Sequence, residues 1–310
     1  MTTEKRVFPH GIHGFPVAPF TAEGKLDMDA LERTITFLIE EGLQSIFIAC
    51  GSSEFHAVST HEYKEMLETA VSVADGRVPV YSGVGGNISH ALELGTISAQ
   101  VGVDGYLILP PYLVQGEQEG LYHYFKMIAT NTDLDAIIYQ RDNAVFQVET
   151  VMNLAEIPQI IGFKDGYGNV ERNIELTQTI GDRLEWFNGM PFAEITMPVY
   201  HALGYRSYSS AMSNYLPHIS RLFYQALLNG DQKRLSQLYR EVILPINRIR
   251  KQRNGYAVAL IKAGMEIVGL PVGKTVRPPL TVVEPEHYAE LETIIQHALE
   301  NFPKEEALTE

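Results

Sequence analysis

The sequence predicts a (β/α)8 barrel with a helical C-terminal extension. Three observations carry this. Eight short β-rich runs recur along the chain with helix-patterned segments between them; each run is continuously apolar rather than alternating; and the runs stop after residue 212. A chain of 310 residues is long enough for one such barrel, of about 250 residues, plus an appendage.

The runs, in order, are "GIHGFPV" (11–17), "SIFIAC" (45–50), "VPVYSGV" (78–84), "DGYLILP" (104–110), "DAIIYQ" (135–140), "IIGFKD" (160–165), "LEWFNG" (184–189) and "RSYSSA" (206–211). Continuous apolar character is what parallel strands covered on both faces require. The intervening segments read as helices: Leu31, Ile35 and Leu38 share one stripe, and Tyr63, Leu67, Ala70 and Val71 the next, opened by Ser59 and Glu62 in capping-box spacing. Right-handed crossovers close eight such units most simply into a barrel. A doubly wound open sheet is the alternative, and it rarely supplies eight regularly spaced strands. Beyond residue 212 the helical pattern breaks at Gly230, Asn254-Gly255 and Pro278-Pro279, which predicts about three helices packed beside the barrel. The expected division is a catalytic barrel over 1–229 and a helical extension over 230–310.

Composition narrows the function. With 45% hydrophobic and 20% charged residues the chain can bury a large core. A net charge of −14 argues against a nucleic-acid partner or an anionic membrane surface, since both need clustered cations. The one basic run, "RIRKQR" at 248–253, reads as a solvated helix face. No apolar stretch approaches the roughly 20 residues of a spanning helix, and the N-terminus lacks the apolar core of a signal peptide, so a cytoplasmic protein is expected. The single cysteine, Cys50, excludes an internal disulfide and reads as a small buried residue. Ten histidines without an HExxH or Cys/His cluster give no expectation of a metal site. No cofactor is expected either: "GVGGN" at 83–87 has Ile88 where a dinucleotide fingerprint needs its last glycine, and "NGMPFAE" and "SSAMSN" lack a phosphate cradle.

In a barrel the C-terminal strand ends face the reaction site. Lys164, inside "IIGFKDGYGN", is the sharpest candidate there. Burial lowers a lysine's pKa and leaves a neutral amine able to attack a ketone; the competing reading is a lysine salt-bridged to Asp165. Tyr139 ends the preceding strand, where its hydroxyl could shuttle protons or simply sit at the rim of the packing. Arg141 and Asn143 follow it, the arginine suited to clamping a carboxylate or, equally, to a surface ion pair. In "ACGSSEF" the backbone amides and the hydroxyls of Ser52 and Ser53 could bind another carboxylate, or form an ordinary turn.

These motifs carry a family resemblance. "GFKDG", "IIYQRDNAV", "LPPYL", "SYSSA" and "RNGYAVALIKAGM" resemble stretches of the dihydrodipicolinate synthase and N-acetylneuraminate lyase superfamily, and within it the branch of decarboxylating dehydratases; the likeness runs from "GFPVAPF" at 14 to "VRPPLT" at 276. It implies a Schiff-base barrel with Lys164 as the imine-forming lysine and Tyr139 as the catalytic tyrosine. It also implies substrate binding by Gly51, Ser52, Ser53, Arg141, Asn143, Gly189 and Ser209. The implied reaction is loss of water and carbon dioxide from a six-carbon keto-deoxy sugar diacid, without cofactor, in a homotetramer. A class I aldolase, lyase or synthase acting on pyruvate or a 2-keto-3-deoxy sugar acid is the alternative. Five positions depart from the family. Cys50 and Ser53 stand where its loop after the second strand, usually Gly-x-Thr-Gly-Glu, has two glycines. Gly51 stands where synthases and lyases carry a relay hydroxyl, Leu113 where synthases bring a tyrosine across an interface, and Gln140 where the dehydratases usually have asparagine.

Overall fold

The computed structural model describes residues 8–304. Each of the eight runs forms a strand: β1 (Gly11–His13), β2 (Ile46–Ile48), β3 (Val80–Val84), β4 (Gly105–Ile108), β5 (Asp135–Gln140), β6 (Ile160–Asp165), β7 (Glu185–Asn188) and β8 (Ser207–Ser209). All pair in parallel, in the order β1-β8-β7-β6-β5-β4-β3-β2. The remaining seam between β1 and β2 is stitched by a parallel bridge, Gly14 with Ile46, where Phe47 N donates to Gly14 O at 2.7 Å. The sheet therefore closes on itself, as a barrel needs.

Crossover helices lie outside: α1 (Met28–Glu40), α2 (Thr60–Ala74), α3 (Ile88–Val101), α4 (Gln118–Ala129), α5 (Val148–Ala155), α6 (Val170–Ile180), α7 (Met197–Ala202) and α8 (Pro217–Leu228). Leu31, Ile35 and Leu38 are buried as their stripe predicts, and Ser59 with Glu62 makes both bonds of the capping box. Inside the barrel an aromatic stack fills the axis: Phe15 on Phe47 at 4.6 Å between centroids, Phe47 on Tyr81 at 4.8 Å, and His13 against Phe187 at 4.8 Å. His13 bonds Ser45 at 2.6 Å, and burial pushes its pKa down to about 3, so the ring is neutral. This stack is the floor on which the site rests.

The extension contains α9 (Gln232–Leu238), α10 (Leu244–Arg250), α11 (Tyr256–Ile267) and α12 (Pro285–Asn301). One π turn, Tyr239–Ile243, joins α9 to α10 just before Pro245, whose missing N–H disrupts regular α-helical bonding there. The extension is fastened to the loop after β2 by a fully buried ion pair, Lys262 Nζ to Glu54 Oε1 at 2.6 Å. Backbone N–H of Arg277 donates to the other oxygen of Glu54 at 2.7 Å, and its guanidinium pairs with Glu62 at 2.5 Å.

The basic run at 248–253 is not wholly a solvated face. Arg248, Lys251 and Arg253 are exposed, whereas Arg250 is partly buried and turns toward the barrel mouth. No described helix is long and apolar enough to cross a membrane.

Candidate active site

A cavity of about 350 Å³ opens at the C-terminal ends of the strands. Lys164, from β6, lies in it. Strand alternation points Lys164 inward and Asp165 outward. Among the described residues Lys164 Nζ makes no hydrogen bond or ion pair. It stands instead over three aromatic faces, 3.9 Å from the centroid of Phe15, 4.7 Å from Tyr139 and 5.0 Å from Phe187. Ring faces attract a cation, but burial costs more: desolvation, with a smaller contribution from the Arg141 charge, lowers the lysine pKa to about 7. Much of the population is then a free amine at neutral pH.

The salt bridge to Asp165 does not form. Asp165 accepts from Gln140 Nε2 (2.9 Å), Asn173 Nδ2 (2.8 Å), Tyr200 OH (2.5 Å) and the amides of Tyr167 and Gly168 (3.0 and 3.1 Å), which shapes the turn into α6. Gln140 belongs to this outer network and also accepts from Phe146 N at 2.9 Å. Its difference from asparagine therefore lies behind the wall of the site, not in it.

Tyr139 is the register partner of Lys164 across β5 and β6. Its hydroxyl donates to Gly189 O at 3.3 Å and accepts from Arg141 Nη1 at 3.2 Å. Burial raises its pKa and the Arg141 charge opposes that; with the net shift upward, the phenol keeps its proton at neutral pH. Gly189 makes room for both groups. A Cβ there would lie 2.5 Å from Lys164 Cε and 3.0 Å from Tyr139 Cε2, and one at Gly166 would lie 2.8 Å from the tyrosine oxygen.

The predicted binding residues divide. Gly51, Ser52, Arg141, Gly189 and Ser209 border the cavity with Lys164 and Tyr139. Ser53 does not: its hydroxyl donates to Pro16 O at 2.6 Å and is fully buried. Residues 51–53 form one 3-10 turn, so successive side chains point about 120° apart and only one hydroxyl can face inward. Asn143 also turns aside, its Nδ2 donating to Pro111 O at 3.3 Å. Cys50 borders the cavity as a thiol, with its pKa pushed up to about 12 by burial. Leu113, fully exposed at a φ of 65°, is outside the cavity.

Reading by strand ends misses Phe15, which underlies the lysine, and His56 and Arg250, which also border the cavity. Arg250 lies on a helix far along the chain. Only its place in a run of cations, where a half-turned side chain can leave the solvent face, hinted at it.

Comparison with known proteins agrees with this architecture. The model of the Dihydrodipicolinate synthetase family matches residues 8–298. A Bacillus licheniformis protein named "Probable 5-dehydro-4-deoxyglucarate dehydratase" is 60% identical over 302 residues, covering 97% of this chain and 98% of its own. A Bacillus subtilis protein of the same name is 61% identical with the same coverage. Among solved structures, dihydrodipicolinate synthase from Oceanobacillus iheyensis superposes with a TM-score of 0.86 at 26% identity, over 92% of this chain and 95% of that one. An E. coli K12 prophage protein of the dihydrodipicolinic acid synthase family, solved with pyruvate, superposes with a TM-score of 0.84 at 25% identity, over 93% and 98%.

Proposed function

This chain belongs to the dihydrodipicolinate synthetase family, and from that premise we propose that it is a decarboxylating dehydratase converting 5-dehydro-4-deoxyglucarate to 2,5-dioxopentanoate, carbon dioxide and water. The observation that carries the reading is the buried Lys164, without an ion pair among the described residues, in a cavity of about 350 Å³, in a chain 60% identical to a relative bearing that dehydratase's name.

The neutral Lys164 amine attacks the ketone and, taking up one proton and losing one water, forms an iminium. The iminium acidifies the neighbouring methylene, whose proton leaves to give an enamine. The enamine expels the β-hydroxyl as water, taking one proton, and leaves a conjugated iminium. Conjugation now reaches the carbon that bears the distal carboxylate, so carbon dioxide departs and its bonding electrons flow into the same iminium. Protonation and tautomerisation of the resulting enol give an aldehyde, and hydrolysis frees Lys164. The Tyr139 phenol, with its proton retained, is placed to move protons at the carbinolamine and the departing hydroxyl. The amides of the 51–53 turn and the Ser52 hydroxyl are suited to the carboxylate beside the ketone, and Arg141 and Ser209 to the distal end. Needing no cofactor for this electron sink, the reading assigns none. It includes a homotetramer, to which the exposed run Tyr112, Leu113 and Val114 offers an apolar surface.

The test is borohydride trapping. Protein mixed with the keto diacid should yield an adduct on Lys164 short of water and carbon dioxide, found by peptide mass spectrometry. Tyr139→Phe should slow turnover by about a hundredfold. An adduct from pyruvate with none from the diacid would replace the dehydratase by a pyruvate aldolase. No adduct from either would end the imine reading.

A further inference from the structure

The cavity is not closed by the barrel alone. Ala257, Val258 and Ile261 of the extension border it with apolar side chains, and Arg250, the last residue of α10, borders it with a guanidinium. Among the described residues Arg250 has no hydrogen bond or ion pair. Among the described residues the one carboxylate bordering the cavity is that of Asp142, and it is engaged with Arg141, Nε to Oδ2 at 3.2 Å. Two guanidiniums thus face one cavity, and its one bordering carboxylate among the described residues is paired with Arg141 alone.

That arrangement sets two like charges against each other. Burial and, second, the positive charge of Arg141 hold the Arg250 guanidinium below its ordinary pKa. The helix dipole attracts cations to the last turn of α10, and exposed Arg248 meets that need from solvent; it gives no reason for Arg250 to turn inward. An unpaired cation beside a like charge is the mark of a site whose counter-charge arrives with the ligand.

We propose that Arg250 is a specificity-determining residue that, together with Arg141, binds the carboxylate of the substrate remote from the ketone. The inference rests on the proposed function for the identity of the substrate. There the keto-acid end is allotted to Lys164 and the 51–53 turn, so the second carboxylate is the group left for the two arginines. The C-terminal extension thereby strengthens the selection of diacids over monoacids that Arg141 begins at a strand end. Being partly exposed, the pair acts on capture more than on the chemical step. A tighter clamp on the departing carboxylate would stabilise the ground state and slow its loss.

The experiment compares wild type, Arg250→Gln and Arg250→Lys in two measurements. The first is half-saturation for borohydride trapping with 5-dehydro-4-deoxyglucarate and with pyruvate, which forms the same imine without a distal carboxylate. The second is calorimetric titration with adipate, a six-carbon diacid with no ketone. Arg250→Gln should weaken the diacid and adipate by about tenfold, the loss of a single charged contact, and leave pyruvate within about twofold; lysine should restore part of the loss. The glutamine variant should melt no lower than wild type, since a repulsion has been removed. Equal adipate affinity in wild type and glutamine variant overturns the proposal, and so does an equal loss on pyruvate and diacid. If wild type traps neither keto acid, the dehydratase reading fails, and the adipate titration still decides Arg250.

Discussion

Lys164 and Asp165 are neighbours in the chain and face opposite sides of β6. The aspartate accepts from five donors behind the barrel wall, and the lysine, without a hydrogen bond or ion pair among the described residues, stands over the Phe15 ring at 3.9 Å. The pleat of a strand achieves this separation, since side chains one residue apart cannot share a face. A lysine next to an aspartate thus behaves as an isolated, desolvated amine.

Its titration should be visible in two ways. With a pKa near 7, imine trapping at subsaturating keto acid should rise with pH and level off above about 7, falling about tenfold per unit below it. For stability, the unfolded lysine holds its proton up to about 10.5, and the folded one releases it near 7. The unfolded chain therefore binds more protons in that window, and this residue's contribution to stability is greatest above 10.5, falls as pH drops, and levels off below 7. Lys164→Met should abolish turnover and stabilise the fold at neutral pH by about 1–3 kcal/mol. Denaturant unfolding at pH 7 and pH 9.5 should show that advantage shrinking at the higher pH; a constant difference would contradict the linkage.

Gly189→Ala places a methyl 2.5 Å from Lys164 Cε. The lysine stem must move, so trapping at Lys164 should slow by at least about tenfold, since small misplacements of reacting groups are costly. Wild-type trapping kinetics in this variant would show that the slot is dispensable.

The two adjacent serines should separate cleanly. Ser52→Ala should raise KM for the keto acid several-fold with little change in melting temperature. Ser53→Ala leaves Pro16 O without its 2.6 Å donor and should cost about 1–2 kcal/mol of stability, with any loss of substrate affinity following from the weakened turn. Reversed effects in a paired kinetic and thermal assay would mean that the other hydroxyl faces the substrate.

Lys262→Met strands the fully buried Glu54 carboxylate and should cost about 3–5 kcal/mol. Adding Glu54→Gln removes the stranded charge, so the double variant should regain much of that loss in a urea titration. Strictly additive losses would mean that the pair is not coupled.

How legible the site was depended on the range over which its contacts form. The strands were legible because a parallel strand covered on both faces must be apolar throughout, a local property of each run. Lys164 stood out for the same reason, as the one ammonium inside such a run, and Tyr139 followed because neighbouring strand ends share a rim. Side-chain direction was less accessible. Ser52 and Ser53 differ by one step of a 3-10 turn, and Asn143 answers to a carbonyl at Pro111 that no local pattern announces. Arg250 lay further out of reach. Within its own segment it is one cation among several near a helix end, and its solvent-face appearance was locally correct for Arg248, Lys251 and Arg253. What turns it toward the barrel mouth is the packing of α10 against α11 and α12, and periodicity along one segment carries no information about which remote surface that segment will meet.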